Sequence, residues 1–470
     1  MIYKTPGVYI EEIPKFPPSI AQVQTAIPVF IGYTQIALDA RGNSLLNEPK
    51  RISSLLEYER FYGLPQPETQ ISVTITQASG RPADVQSSIG VRSVYLMHYA
   101  LQMFFANGGG SCWIISVGDY TTGTVGFAEL VAGLELTRKV DEITLIVFPD
   151  AQSLTSVDDY YTLYGEAMDL CRDMKDRFTV MDVWLDPQEP DLMANIATLR
   201  DKTPNETDTL KYGCSYFPNV ETILDYYYGG EGAGDGNVTI VHQGGDGSLN
   251  GTLAELKGKN NALYFQARAA IRNMPLVMPP SPAMVGIYAD VDASRGVWKA
   301  PANVNMDYVI RPMLKITDKE QETLNVDDNA GKSVNVIRSF TGRGPAIVWG
   351  ARTLAGNDNE WRYIPVRRFF NMVEESVGKA TLQFVFEPND RNTWTRVKSM
   401  IDNFLVLQWR AGALMGTTPE EAFYVKVGLN ETMSELDIWE GRMIVEIGMA
   451  VVRPAEFIIL RFSHKMLSES

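Results

Sequence analysis

ITLIVFPDAQSLTSVDDYYTLYGEAMDLCRDMKDRFTVMDVWLD, residues 143–186, decides the fold class. The opening run from Ile143 is apolar at nearly every position, which marks a short strand covered on both faces. A helical pattern follows from about Ser156 to Phe178, and TVMDVWLD returns as a second strand. Strand, helix, strand in that order builds a partly parallel sheet. Working outward, IPVFIGYT from Ile27 and CWIISV from Cys112 read as further strands of the same kind. Between them, Val94, Met97, Leu101 and Phe104 recur at helical spacing, with Ser93 as the expected cap and Asn107-Gly108-Gly109 as the stop.

The chain has 470 residues, 45% hydrophobic and 21% charged, enough for two to four domains with buried cores. No apolar run approaches the roughly 18 residues a membrane span needs, and the N-terminus has Pro and Glu where a signal peptide would be apolar. Synthesis in the cytoplasm and no direct membrane insertion are expected. A net charge of −15 argues against nucleic acid as a partner, because such binding is driven by cations that displace phosphate counterions. The acidity is uneven, with 20 Lys and Arg against 33 Asp and Glu over residues 1–280, and 22 against 24 over 281–470. The near-neutral part is the expected meeting surface.

Two stretches read as polar surface insertions that bury little: residues 65–92, rich in Gln, Ser and Thr, and residues 229–251, with nine glycines. MPLVMPPSP, ending at Pro282, is the expected domain boundary. Beyond it, Arg367–Val377 and Thr393–Arg410 read as amphipathic helices, and AFYVKVG from Ala422 and RMIVEIGMAVV from Arg442 as strands. The fold class is therefore α/β and α+β multidomain, an α/β N-terminal part with a smaller α+β domain after it.

No complete catalytic motif is present. AGKS at Ala330–Ser333 resembles the end of a phosphate loop, but Val326 stands where its first glycine belongs, so a surface loop is the better reading. The acidic pairs Glu11-Glu12, Asp158-Asp159, Glu374-Glu375 and Glu420-Glu421 fit solvated or helix-start charges better than an acid and base. Cys112, Cys171 and Cys214 are far apart, as are the three histidines, so no metal, cofactor or catalytic residue is assigned. The basic, aromatic run WRYIPVRRFFN from Trp361 reads as core packing, with Arg367 and Arg368 as candidate interface charges. An α/β enzyme with a carboxylate-based site is the rival class.

The termini raise a different question. PGVYIEEIP, Pro6–Pro14, favours extended structure at Val8, Tyr9 and Ile10, yet nothing nearby could fold it back as a hairpin. PAEFIILRFS ends the chain with another lone strand, in which Phe457, Ile459 and Leu460 are the residues expected to pair, either with another chain or with its own sheet. Both read as arms.

YADVDASRGVWKAPAN, Tyr288–Asn303, closely resembles a hallmark of the contractile tail sheath proteins of phage tails and extracellular contractile injection systems. YKTPGVYIEE from Tyr3, FFANGGGSCWIISV from Phe104, VWGARTL from Val348 and RYIPVRRFFNMVEESV from Arg362 also resemble that family, so the likeness covers nearly the whole chain. Asp290 departs from it, standing where the family often has Arg, and the loop before VNVIRSF is longer than usual. A type VI secretion sheath subunit is the alternative within assembly proteins, though that system usually splits the sheath between two short chains.

The resemblance implies a structural subunit, not an enzyme. It would form a helical homo-oligomer of hexameric rings around an inner tube, with baseplate and terminator or cap proteins as further partners. The particle would be a phage tail or a released phage-tail-like particle. The expected division is an N-terminal arm (1–20), outer sheath domains (21–280), a C-terminal inner domain (281–453) and a C-terminal arm (454–470). The arms would exchange strands with neighbouring copies, which answers what Val8, Tyr9 and Ile10 could pair with. Arg295, Gly296, Trp298, Pro301 and Asn303 carry the hallmark, and Arg295 and Trp298 are expected to hold the C-terminal domain together.

Overall fold

The computed structural model describes residues 19–77, 82–186, 188–230, 232–244 and 247–459. The chain divides into two compact units. The body comprises Gln24–Asn371 and the segment from Arg453; the smaller unit comprises Met372–Val452 with the described residues up to Val23. The expected boundary near residue 280 does not coincide with this division. Leu276–Met278 is a strand, and the prolines after it open the helix Ser281–Arg295, with Pro282 in its first turn, where a missing N–H costs nothing. The chain then returns to the body's main sheet.

That sheet has eight strands. From one edge its order is Gly344–Val348, Asn335–Phe340, Gly213–Phe217, Phe178–Asp182, Leu145–Val147, Pro28–Tyr33, Cys112–Gly118 and Lys50–Ile52. The six inner strands run parallel, and the two edge strands are antiparallel to their neighbours. Alternation along each strand feeds two cores. Phe30, Ile114, Leu145, Val147 and Val180 join one face, and Val29, Ile31, Ile115, Ile146 and Met181 the other. Helices Met97–Ala106 and Ser281–Arg295 cover the first face, and Phe127–Leu136 and Val157–Met174 the second. Met97–Ala106 and Ser281–Arg295 meet at Gly286, where an added Cβ would lie 2.5 Å from the Phe104 carbonyl oxygen.

Neither helix on the first face is capped by its own residues. Ser93 does not cap; its hydroxyl donates to Gln66 instead. Asp150, fully buried, accepts from the backbone N–H groups of Tyr33 (2.7 Å) and Leu96 (2.5 Å), and so supplies the cap from across the sheet. Asp182 does the same for the other helix, accepting from the N–H (2.8 Å) and hydroxyl (2.5 Å) of Ser281. Burial pushes each carboxyl up to about 7 against the pull of these hydrogen bonds.

The two stretches expected to be polar insertions are structured and partly buried. Ile71–Thr76 and Asp84–Ile89 come from the first, and Val238–Gln243 and Gly251–Thr252 from the second or its border. Together they form a four-stranded sheet in which Val238–Gln243 runs parallel to Ile71–Thr76. Ile71, Val73, Ile75, Val238 and Ile240 are buried, and helices Leu253–Lys259 and Asn261–Arg272 pack on the sheet. These two helices are separated at Asn260, whose side chain caps the second.

In the smaller unit, helix Arg391–Arg410 begins at Asp390, whose carboxylate accepts from the Thr393 N–H, and buries Val397, Ile401, Phe404 and Leu405. Phe423–Lys426 and Glu446–Met449 pair antiparallel beside it. The helix Ile364–Thr381 gives residues to both units.

Candidate assembly interface

The candidate features lie at the surface of each unit. In the smaller unit, the sheet of Phe423–Lys426 and Glu446–Met449 has two strands of four residues. Two such strands are marginal alone; the Val425 carbonyl accepts from Lys398 Nζ, and just past Met449 the chain bridges Leu414 through Val451. Its register is fixed by Val425 opposite Ile447, and the Tyr424 hydroxyl donates to Glu446 at 2.7 Å. Large apolar side chains stand in water around this unit: Leu382, Val385, Phe386, Leu436 and Trp439 are all more than half exposed. Phe386 is fully exposed and holds a left-handed backbone conformation at φ 71°, an unfavourable combination for an aromatic residue.

In the body, the C-terminal segment leaves a fixed point. Glu456 accepts hydrogen bonds from buried Arg352 and from the Tyr363 hydroxyl. Phe457, Ile458 and Ile459 come next, outside any strand and 71, 80 and 78% exposed. Leu460 and the other arm, Val8, Tyr9 and Ile10, lie outside the described residues.

The hallmark residues fall in the body and not in the smaller C-terminal unit. Gly296 ends the helix Ser281–Arg295 at φ 93°, and a Cβ there would collide with the Trp298 indole at 2.4 Å. Trp298 packs edge-on against Phe369, Pro301 is buried, and Asn303, at φ 61°, donates its N–H to the Val348 carbonyl at 2.7 Å. These residues turn the chain from helix into sheet. Arg295 has no such part. It is exposed in the last helical turn, with no ion pair among the described residues.

Arg367 and Arg368 are also not interface charges. Arg367 is stacked near Tyr212 and Trp361, and Arg368 pairs with Asp292 at 2.5 Å; both are buried. The lysine of AGKS is fully buried as well. Its Nζ donates to the carbonyl oxygens of Arg200 (2.6 Å) and Thr203 (2.7 Å) and to Asn205 Oδ1 (2.9 Å), so it closes the C-terminal end of helix Ala194–Lys202. Asp158 and Asp159 occupy the first turn of helix Val157–Met174, and Glu420 and Glu421 that of Pro419–Ala422. All three cysteines are buried and unpaired. Among the described residues, no cluster of three or more His, Cys, Asp or Glu could hold a metal, and no helix is long and apolar enough to cross a membrane.

Sequence reasoning missed Glu456, Arg352 and Phe386. A lone acid entering the apolar run FIIL was the available signal for the first, and membership of the VWGARTL run for the second; nothing local marked Phe386.

A body with an exposed apolar segment, together with a unit that carries exposed large apolar side chains beside a small sheet, fits a structural subunit built to assemble. Residues 356–465 match the phage tail sheath C-terminal domain family. The chain is similar to the sheath protein in the contracted helical sheath of the anti-feeding prophage, at 30% identity, with 99% of this chain and 100% of that one covered and a TM-score of 0.65. Similar values hold for a chain of the PVC sheath complex of an extracellular contractile injection system in its contracted state: 28% identity, 99% of both chains and a TM-score of 0.65. A Listeria innocua sheath tail protein shares the fold at 10% identity, with 91% of this chain and 96% of that one covered and a TM-score of 0.51. No curated protein matches. The chain belongs to the contractile tail sheath family and is a structural subunit of a contractile sheath.

Proposed function

We propose that this subunit assembles as stacked hexameric rings around an inner tube, between a baseplate and a terminator or cap. Its two arms join the copies. Residues around Val8–Ile10 and Phe457–Leu460 add as strands to the two-stranded sheet of neighbouring subunits, so that main-chain hydrogen bonds give affinity. A head-to-tail contact of this kind propagates as a helix when its rotation does not close. Contraction is then a rigid-body change of lattice, with the strands kept paired and the proline-bearing junction at Pro14–Pro18 as a linker. The tube is driven through a target envelope without nucleotide hydrolysis.

One observation carries this reading: an exposed apolar segment, Phe457–Ile459, occurs in the same chain as a sheet that has two short strands among the described residues. Electron microscopy of the purified chain, alone and co-expressed with a tube protein, tests it. Striated helical tubes, long and narrow around a core and short and wide without it, are expected. Persistent monomers under both conditions would refute it.

A further inference from the structure

Arg352 belongs to the VWGARTL run and is 3% exposed. Its Nη1 donates to the carbonyl oxygens of Asn325 (3.2 Å) and Gly356 (3.3 Å). Its other donors go to one residue 104 positions away: Nε to both carboxylate oxygens of Glu456 (2.9 and 3.2 Å), and Nη2 to Oε2 (2.5 Å). The Tyr363 hydroxyl reaches the same oxygen at 3.3 Å. Three residues earlier, Arg453 Nη1 donates to the Asn359 carbonyl at 2.8 Å. The segment is thus held at two points of the body just before Phe457, where exposure begins.

These anchors bear on the register of the apolar residues beyond them. A strand whose apolar residues alternate carries its own register, since a slip of one residue turns its apolar set to the wrong face. Phe457, Ile458, Ile459 and Leu460 are apolar in succession, so either face would serve and the segment specifies register poorly. Register must then be imposed from outside. A guanidinium fork on a carboxylate fixes orientation as well as position, and the buried guanidinium already has two of its partners in the backbone.

We infer that Arg352 and Glu456 form a clamp that sets the exit point and direction of the C-terminal arm, so that Phe457 onward meets a second copy of this chain in one register. This rests on the proposed addition of the arm as a strand. Arg352 and Glu456 are positioning residues; the contact with the second copy is made by the arm itself.

The test uses the full chain and three variants: Glu456→Ala, which releases the arm; Arg352→Lys, which keeps a buried cation but loses the fork; and a chain ending at Glu456, which has no arm. Assembly is followed by sedimentation against protein concentration, helical order by electron microscopy, and folding by the melting temperature of the unassembled chain. Both substitutions should raise the concentration needed for sheath formation about tenfold or more, the factor that about 1.4 kcal/mol represents. The sheaths that do form should have irregular helical order, although the unassembled chain still melts cooperatively. A merely structural ion pair would change melting and leave order intact. Wild-type assembly and order in Glu456→Ala, while the shortened chain fails to assemble, would overturn the clamp and leave strand addition standing. Normal assembly of the shortened chain would remove the strand-addition reading of this arm, and the clamp with it. If Glu456→Ala does not fold, Arg352→Lys decides alone: unchanged assembly and order overturn the inference.

Discussion

Raising the pH from about 5 to about 8 should weaken the body, because Asp150 and Asp182 must lose protons while buried. Each carboxyl is moved from 3.8 to about 7, first by burial and in spite of its hydrogen bonds. The native state therefore binds more protons than the unfolded state between about pH 4 and pH 7. Stability from these groups is fully present below that window and is lost as the pH rises through it. A rise of this size corresponds to about 4 kcal/mol per group. His98, pushed down by burial, acts in the opposite direction around its ordinary value, whereas Glu68, pushed up by burial, acts in the same direction as the two carboxyls. Asparagine variants isolate the contribution. In Asp182→Asn the amide can keep one oxygen for the Ser281 N–H and donate to the Ser281 hydroxyl, so the variant should fold with little loss and a flatter pH dependence. In Asp150→Asn the amide nitrogen must face a backbone N–H, because each oxygen of the aspartate accepts one, from Tyr33 and from Leu96. That should cost about 1–3 kcal/mol. The assay is the urea midpoint by tryptophan fluorescence across the pH range. A slope that is the same in wild type and Asp182→Asn, or equal losses in the two variants, would refute the reasoning.

Deleting residues 1–13 should leave a chain that melts cooperatively and elutes as a monomer but forms no striated tubes; normal sheath from that truncation would sink the N-terminal arm. Phe386→Gly should leave the melting temperature of the unassembled chain unchanged or raise it, since the left-handed backbone costs about 1–2 kcal/mol for a residue with a Cβ, and it should weaken assembly. Stronger assembly in that variant would argue against a contact role for the exposed ring. Lys332→Met removes a charged donor from three acceptors and should cost about 3 kcal/mol or more in urea unfolding. Stabilisation of the wild type by ATP in a thermal shift assay would overturn the reading of Lys332 as a helix closure.

What could be read from the sequence divides by the range over which each feature is specified. The main sheet was legible because Leu145–Val147 and Cys112–Gly118 are apolar runs bounded by turn residues, a pattern written within a few positions. The second sheet was legible in principle and was misread. ISVTIT alternates apolar and polar at period two, but the Ser, Thr and Gly content around it outweighed that pattern. Its partner strand, Val238–Gln243, lies far along the chain, so neither stretch alone reveals what buries Ile71, Val73 and Ile75. The helix caps failed for the same reason: Ser93 had the right chemistry beside the helix, and Asp150 had the right position in space.

The candidate interface is the extreme case. The family resemblance implied arms at both ends, yet Arg352 meets Glu456 across 104 residues, and neither carries a local sign of the other. A short apolar segment cannot encode its own register, and a two-stranded sheet cannot encode its own completion. The clamp inferred above would fill the first deficit within the chain through Arg352, and the proposed strand addition would fill the second with another copy. On that proposal, folding of a single chain is complete while its sheet is not, and that separation would let the same subunit exist as a folded body before assembly and as part of a continuous lattice after it.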